Sequence, residues 1–86
     1  MNNVIFRTVT LAGQWQPLSA TPLVASVTLS TPPANTDTVL FRTKAEPDQT
    51  LAWIPGEWHE FRRIDLSQIE VNAPAGNTVT IVGGTW

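Results

Sequence analysis

The stretch LVASVTLS, residues 23–30, alternates between two kinds of side chain from end to end. Its odd-numbered residues are Leu, Ala, Val and Leu, whereas its even-numbered residues are one Val and three hydroxyl residues. Because successive side chains of a β-strand point to opposite faces, this pattern predicts a strand with one face in a core and the other toward solvent.

The rest of the chain has the same β-type composition. No window of ten or more residues shows a helical period, and the one helical candidate is a single 3₁₀ turn around residues 65–67, capped by Asp65 or Ser67. Proline and glycine fall between the β-type runs and mark turns. The further runs are VIFRTVTL (4–11), DTVLFRTK (37–44), QTLAWI (49–54), EWHEFRR (57–63), IEVN (69–72) and NTVTIVGG (77–84).

Strands at this spacing predict an all-β fold, namely a small antiparallel β-sandwich or barrel. A jelly roll is one arrangement of this kind. We expect one domain over residues 1–86, with at most one short 3₁₀ turn. We also expect a mobile loop near residues 30–38, a hairpin tip near residues 43–50 and a flexible C-terminal tail over residues 83–86.

The apolar positions of these strands give a predicted core. On strands where both sides are apolar, the sequence does not decide which side faces the core. The expected core residues are Phe6, Leu23, Val27, Leu29, Val39, Phe41, Leu51, Phe61, Ile64, Leu66, Ile69, Val71, Val79 and Ile81.

Composition excludes several classes of function. The 86 residues contain no cysteine and one histidine, so disulfides and the usual zinc sites are excluded. The net charge of −2 gives no basic surface for nucleic acid. There is no apolar run long enough for a transmembrane helix, and the start MNNVIFRTVTL predicts no secretory signal. We therefore expect neither nucleic acid nor membrane as a partner.

Charged residues make up 14% of the chain, against about 25% in typical soluble domains. A chain this short also buries a core of limited size. A neutral surface over a small core favours burial against neighbouring subunits, so we expect self-association.

The stretch WIPGEWHEFRRIDL, residues 53–66, contains the single histidine and several charges. His59 shares a strand face with Glu57, so an ion pair is feasible, and acid–base catalysis is one interpretation. Nothing in the spacing of Glu57, Glu60 and Asp65 selects a catalytic carboxylate pair. A charged strand edge is the favoured interpretation, and we predict no catalytic residue, no metal ligand and no cofactor.

Four tryptophans, at positions 15, 53, 58 and 86, are many for this length. Trp58 is out of phase with Phe61 and should point away from the core. Trp86 follows Gly83 and Gly84, and we expect it to swing on them. Tryptophan and arginine are enriched in protein interfaces, so the predicted partner-binding residues are Trp58, Arg62, Arg63 and Trp86. Sugar stacking on exposed indoles is the alternative.

The second half of the chain resembles small virion proteins of tailed bacteriophages. The matching pieces are the strand VLFR, the turn PGE, the strand DLSQI and the terminal GNTV, which cover roughly the last fifty residues. The resemblance implies an all-β, cysteine-free subunit used for capsid decoration, as cement or as a tail accessory.

From the residues and this resemblance together we expect a non-enzymatic structural protein of a phage particle, made in the host cytoplasm and located in the virion. It would decorate or cement the capsid as a homo-oligomer such as a trimer, bound to a major capsid or other virion protein. The alternatives are a carbohydrate- or surface-binding module of a tail or fibre, and a neck or tail accessory subunit.

Overall fold

The β-type runs form eight strands in a computed structural model that describes residues 3–85. Within residues 3–85 the only helical element is a single 3₁₀ turn, Leu66–Gln68. The strands are β1 (Val4–Thr10), β2 (Gln16–Pro17), β3 (Val24–Ser30), β4 (Val39–Thr43), β5 (Glu46–Trp53), β6 (Trp58–Asp65), β7 (Ile69–Asn72) and β8 (Thr78–Gly84). Sequence reasoning missed β2, which has two residues, one of them a proline, and so no periodicity to detect.

The strands form two four-stranded antiparallel sheets. Sheet A has the order β1-β8-β3-β6 and sheet B the order β2-β7-β4-β5. The pairs β1·β8, β2·β7, β3·β6 and β4·β5 are all antiparallel, so the chain resembles one long hairpin, with its tip between Thr43 and Glu46, rolled into two layers. Eight strands in two sheets with this order form a jelly roll. The prediction of an all-β sandwich is confirmed.

The core lies between the two sheets and contains more residues than were predicted. Eight predicted core residues are buried, and Leu23, Phe61, Ile64 and Ile69 are partly buried against them. The prediction also missed six buried residues. The buried predicted residues are Val27, Leu29, Val39, Phe41, Leu66, Val71, Val79 and Ile81, and the missed ones are Ile5, Leu11, Leu18, Ala25, Trp53 and Ala73.

Two predicted core residues are exposed. Phe6 is 75% exposed because β1 is apolar on both sides, and its register places Ile5 in the core and Phe6 opposite Val82 on the outer face. Leu51 is 67% exposed, although it lies opposite the buried Phe41, because β5 is an edge strand at the open side of the sandwich.

The loop between β3 and β4, for which the sequence predicts mobility, makes hydrogen bonds to the start of β8. Asn77 is 2% exposed, and its side-chain oxygen accepts from the backbone N–H of Thr36 at 2.9 Å. Asn35 donates to the Thr78 carbonyl and accepts from the Thr78 N–H, both at 2.9 Å. At the other end, the Thr31 hydroxyl donates to the Ile54 carbonyl at 2.7 Å. These contacts satisfy the polar atoms of the buried Asn77, and the mobility of the loop stays a prediction.

The 3₁₀ turn has the predicted cap. Asp65 Oδ1 accepts from the Ser67 N–H at 3.0 Å and from the Leu23 N–H at 3.1 Å. The bond from Leu23, followed by those from Ser67, holds the pKa of the Asp65 carboxyl below its usual range. One carboxylate thus joins the start of β3 to the end of β6. No helix within residues 3–85 has the length and hydropathy needed to cross a bilayer.

Candidate functional site

Trp58 is one of the predicted partner-binding residues that the structure leaves exposed. It begins β6, lies opposite Ser30 on β3 and is 60% exposed. Phe61, three residues on, lies opposite Val27 and packs against the core. A spacing of three residues on a strand reverses the face, so the predicted outward direction of Trp58 is confirmed.

Arg62 and Arg63 lie at a β-bulge. Val27 pairs with Phe61 and Ala25 pairs with Ile64, so two arginines stand opposite the single residue Ser26. A regular strand would turn one of them toward the core, but the bulge leaves both exposed. It also brings Phe61 and Ile64, which are three residues apart, against the same core.

The bulge has a backbone cost. Arg63 has a φ of 52°, in the left-handed region that costs a residue with a side chain about 1–2 kcal/mol. Its N–H donates to the Ser26 hydroxyl at 3.1 Å, which satisfies the displaced donor. The two arginines therefore project beside the end of the outer face of sheet A.

Trp86, the fourth predicted partner-binding residue, lies outside the described residues. We expected a flexible tail over residues 83–86, and the two glycines that begin it lie in the last strand. Gly83 and Gly84 belong to β8 and pair with β1 on one side and with β3 on the other. Gly83 is required there by close approach, since a Cβ at this position would collide with the Ser26 carbonyl oxygen and lie 2.7 Å from Val27 Cα.

The other two described tryptophans are covered. Trp53 is 5% exposed and stacks on Phe41 with ring centroids 3.7 Å apart. The Arg42 guanidinium lies 3.9 Å above the ring of Trp15, in a cation–π contact. Within residues 3–85, Trp58 is therefore the tryptophan that presents an open indole.

The outer face of sheet A is larger than the predicted patch and almost free of charge. Register places Phe6, Val82, Thr28 and Glu60 in one row across the four strands. The next row along the strands is Thr8, Thr80, Ser30 and Trp58. Strand alternation and register give the outer face sixteen positions, of which only Glu60, Arg62 and Asp65, all on the edge strand β6, are charged. The members are Val4, Phe6, Thr8, Thr10, Val24, Ser26, Thr28, Ser30, Trp58, Glu60, Arg62, Asp65, Thr78, Thr80, Val82 and Gly84. We call this set face A.

Face A exposes large apolar side chains without covering them. Phe6 (75% exposed) and Val82 (48%) stand directly opposite one another, and Val4 and Val24 are exposed nearby along the strands. Exposed apolar patches of this kind on small proteins mark contact sites. Sequence reasoning missed Phe6 and Val82, although the alternation of hydroxyl residues on β3 was the available signal for a neutral outer face.

A second candidate is an apolar groove of about 340 Å³ between the edge strands β5 and β6. Leu51 projects into its mouth. The apolar lining consists of Leu29, Phe41, Leu51, Trp53, Phe61 and Ile69, and the polar lining consists of Arg42, Thr43, Glu46 and Gln49. The groove has the size of a small-ligand pocket, but the Trp53 ring at its base is already covered by Phe41.

His59 lies near this groove. Its Nε2 is 2.7 Å from Glu57 Oε2, so the two side chains make the contact that the sequence predicted. Its ring meets the Trp53 ring edge-on, with centroids 4.7 Å apart. The hydrogen bond from His59 lowers the pKa of the Glu57 carboxyl, and the Ile54 N–H donates to the other carboxylate oxygen at 3.1 Å. Among residues 3–85, no three His, Cys, Asp or Glu side chains gather where they could hold a metal ion.

Comparison with protein-family models, with curated proteins and with solved structures found no match to this chain.

Proposed function

We propose that this protein is a non-enzymatic structural subunit of a phage particle that decorates or cements the capsid through protein–protein contacts. Face A is the proposed docking surface, its partners are a major capsid or other virion protein and further copies of this chain, and its place is the virion. The virion assignment rests on the resemblance of residues 39–79 to small phage virion proteins. The docking surface rests on the residues of face A.

The observation that supports docking best is the exposed pair Phe6 and Val82 inside a face that has charge only on β6. The central parts of protein interfaces are depleted in charged residues and enriched in aromatic ones. Hydroxyl side chains between the apolar ones can donate and accept hydrogen bonds, so the face suits a flat polar partner surface as well as an apolar one. Trp58 and Arg62 at one border are the residue types that most often dominate binding energy.

A non-enzymatic role is proposed from the arrangement around His59. Its neighbours are Glu57, which also accepts from the Ile54 backbone, and the ring of Trp53. Such contacts hold a strand edge and its turn together. The turn contains Gly56, with a φ of 88°, which only glycine adopts readily.

The mechanism of such a subunit is mass action. A protein that binds the assembled shell and not its separate parts stabilises the shell. The stabilising free energy grows with the logarithm of the ratio between the protein's concentration and its Kd. Repeated sites over a shell add avidity when copies of the subunit also contact one another. A small charge-poor domain can therefore strengthen a particle without large conformational change.

The test is binding to particles from which this protein has been removed or deleted. The wild-type chain should rebind, and Val82→Glu, which places a charge in the middle of face A, should lower affinity at least about tenfold. Ala52→Glu is the matched control, since Ala52 is exposed on sheet B opposite Leu40. Absence of the chain from purified particles by mass spectrometry would refute the virion role. Equal binding by both variants would refute face A.

The carbohydrate- or surface-binding alternative has one supporting observation, the open indole of Trp58. A sugar ring can stack on such an indole. Binding of the isolated chain to a glycan array, lost in Trp58→Ala, would favour this alternative. Binding to particles with no glycan binding would favour the first proposal.

A further inference from the structure

The four sheet edges of this protein differ in how they are protected. Edge strands expose unpaired N–H and C=O groups, and proteins shield them with short strands, proline, charges or bulges. Edge strand β2 has two residues, including Pro17. Edge strand β5 carries Glu46, Pro47 and Asp48, and edge strand β6 carries the bulge at Arg63.

Strand β1 lacks three of these protections, since it is not short, has no proline and has no bulge. In the described part of the chain it pairs with β8 alone, over seven consecutive residues in regular register. It contains no proline and one charged residue, Arg7, which lies on the core side of the strand because it stands opposite the buried Ile81. The row of outward side chains that borders this edge belongs to face A.

Hydrogen bonds at the two ends of β1 show which backbone groups face the open edge. The Thr85 N–H donates to the Asn3 carbonyl, and the Leu11 N–H donates to the Asn77 carbonyl, both at 2.9 Å. Hydrogen-bonded and non-hydrogen-bonded pairs alternate along an antiparallel ladder. Odd-numbered residues of β1 therefore bond to β8, and the N–H and C=O groups of Val4, Phe6 and Thr8 point away from the sheet.

We propose that β1 pairs with β1 of a second copy, antiparallel and about a two-fold axis at Phe6. This inference rests on the proposed self-association and not on the virion role. The axis at Phe6 places two phenylalanines opposite one another, a favourable cross-strand pair, and places Arg7 opposite Ile5 of the second copy. An axis at Arg7 would place two like charges opposite one another.

The C-terminal end of the β1 edge supports the same register. Gln16 Nε2 donates to the Thr10 carbonyl at 3.5 Å, so the last outward carbonyl already has a partner. A register centred on Thr8 would need Thr10 for pairing, whereas the register centred on Phe6 needs Val4 to Thr8 only. The resulting dimer joins two copies of sheet A into one eight-stranded sheet and doubles face A. A two-fold dimer is a different assembly from the trimer that we expected from sequence.

Cysteine crosslinking tests both the edge and the register, because the chain has no cysteine of its own. Hydrogen-bonded antiparallel pairs have Cα atoms about 5.5 Å apart, within the range that a disulfide spans. Phe6→Cys should form a dimer on mild oxidation at micromolar concentration. Thr8→Cys and Val82→Cys are matched controls on the same face and should remain largely monomeric in denaturing gels.

Crosslinking through Val82→Cys or Thr8→Cys in place of Phe6→Cys would overturn the proposal. The Phe6 side chain is exposed, so the variant should keep its β circular dichroism when reduced, and this is checked first.

Sedimentation of the unmodified chain gives a second measurement. Wild type should show a monomer–dimer equilibrium, and Phe6→Lys should raise its dissociation constant at least about tenfold by placing like charges opposite one another. Ala52→Lys, exposed on sheet B opposite Leu40, is the control and should dimerise as wild type. A wild-type chain that is monomeric but still binds particles would refute the dimer and leave the proposed function standing.

Discussion

The outer faces of the two sheets differ in whether their charged and aromatic groups have partners within the protein. On sheet B, Arg42 Nε pairs with Glu70 at 2.9 Å, and the same guanidinium covers the ring of Trp15. On sheet A, Phe6 and Val82 are left exposed among hydroxyl residues. A face whose charges are paired and whose aromatic ring is covered within the protein gains little binding free energy from a partner. A neutral face with uncovered apolar groups loses unfavourable water contact when it docks.

The largest effect should come from a change that breaks sheet A itself. Gly83→Ala forces a Cβ against the Ser26 carbonyl and Val27 Cα, both backbone atoms of the paired strand β3. We expect a loss of about 3 kcal/mol or more in the free energy of unfolding, since β3 and β8 must separate. Chemical denaturation measures it.

Gly13→Ala is the comparator for that change. A Cβ there meets nothing within 4 Å, and only its φ of 80° is unfavourable, which costs about 1–2 kcal/mol. Equal losses in the two variants would show that strand approach at Gly83 is not the cause.

A smaller effect should follow from opening the outer face of sheet B. Arg42→Ala removes a partly buried ion pair and uncovers Trp15, so we expect a loss of about 1 kcal/mol in the free energy of unfolding. Self-association should not weaken, because Arg42 lies away from face A. Lys44→Ala, an exposed charge in the same hairpin, is the control. A lower association constant for Arg42→Ala would contradict the contrast between the two faces.

Acid should weaken the β6 side of sheet A through Asp65. Its folded pKa is lowered by the Leu23 and Ser67 hydrogen bonds, so its stabilising contribution is complete above its unfolded pKa of about 3.9. That contribution is lost as pH falls from there through the folded pKa. Asp65→Asn should flatten this part of the stability–pH curve, measured by denaturation at pH 2 to 6. Parallel curves for wild type and variant would contradict this role.

The smallest effect should come from His59→Ala, because His59 lies on neither outer face. It contacts Glu57 and the edge of Trp53 at an exposed strand border. We expect a change within about 0.5 kcal/mol in the free energy of unfolding and unchanged self-association. Loss of a hydrolytic or metal-dependent activity in this variant would overturn the proposal of a non-enzymatic role.

Local pattern was sufficient for the all-β class, the positions of most strands and the cap at Asp65. Alternation on β3 also indicated its neutral outer side correctly, because alternation is a property of one strand alone. The outward direction of Trp58 followed from its spacing to Phe61 for the same reason.

Register and sheet order were decided only by tertiary structure. On β1 both alternations are apolar, and only pairing with β8 places Ile5 inside and Phe6 outside. The bulge at Arg63 exists because β6 has one residue more than β3 between their paired positions, which neither strand shows by itself. Gly83 looks like a hinge in the sequence, and its fixed position between two strands depends on backbone approach. The open edge of β1 likewise exists only once the order of sheet A is known, since an edge is defined by the neighbours that a strand lacks.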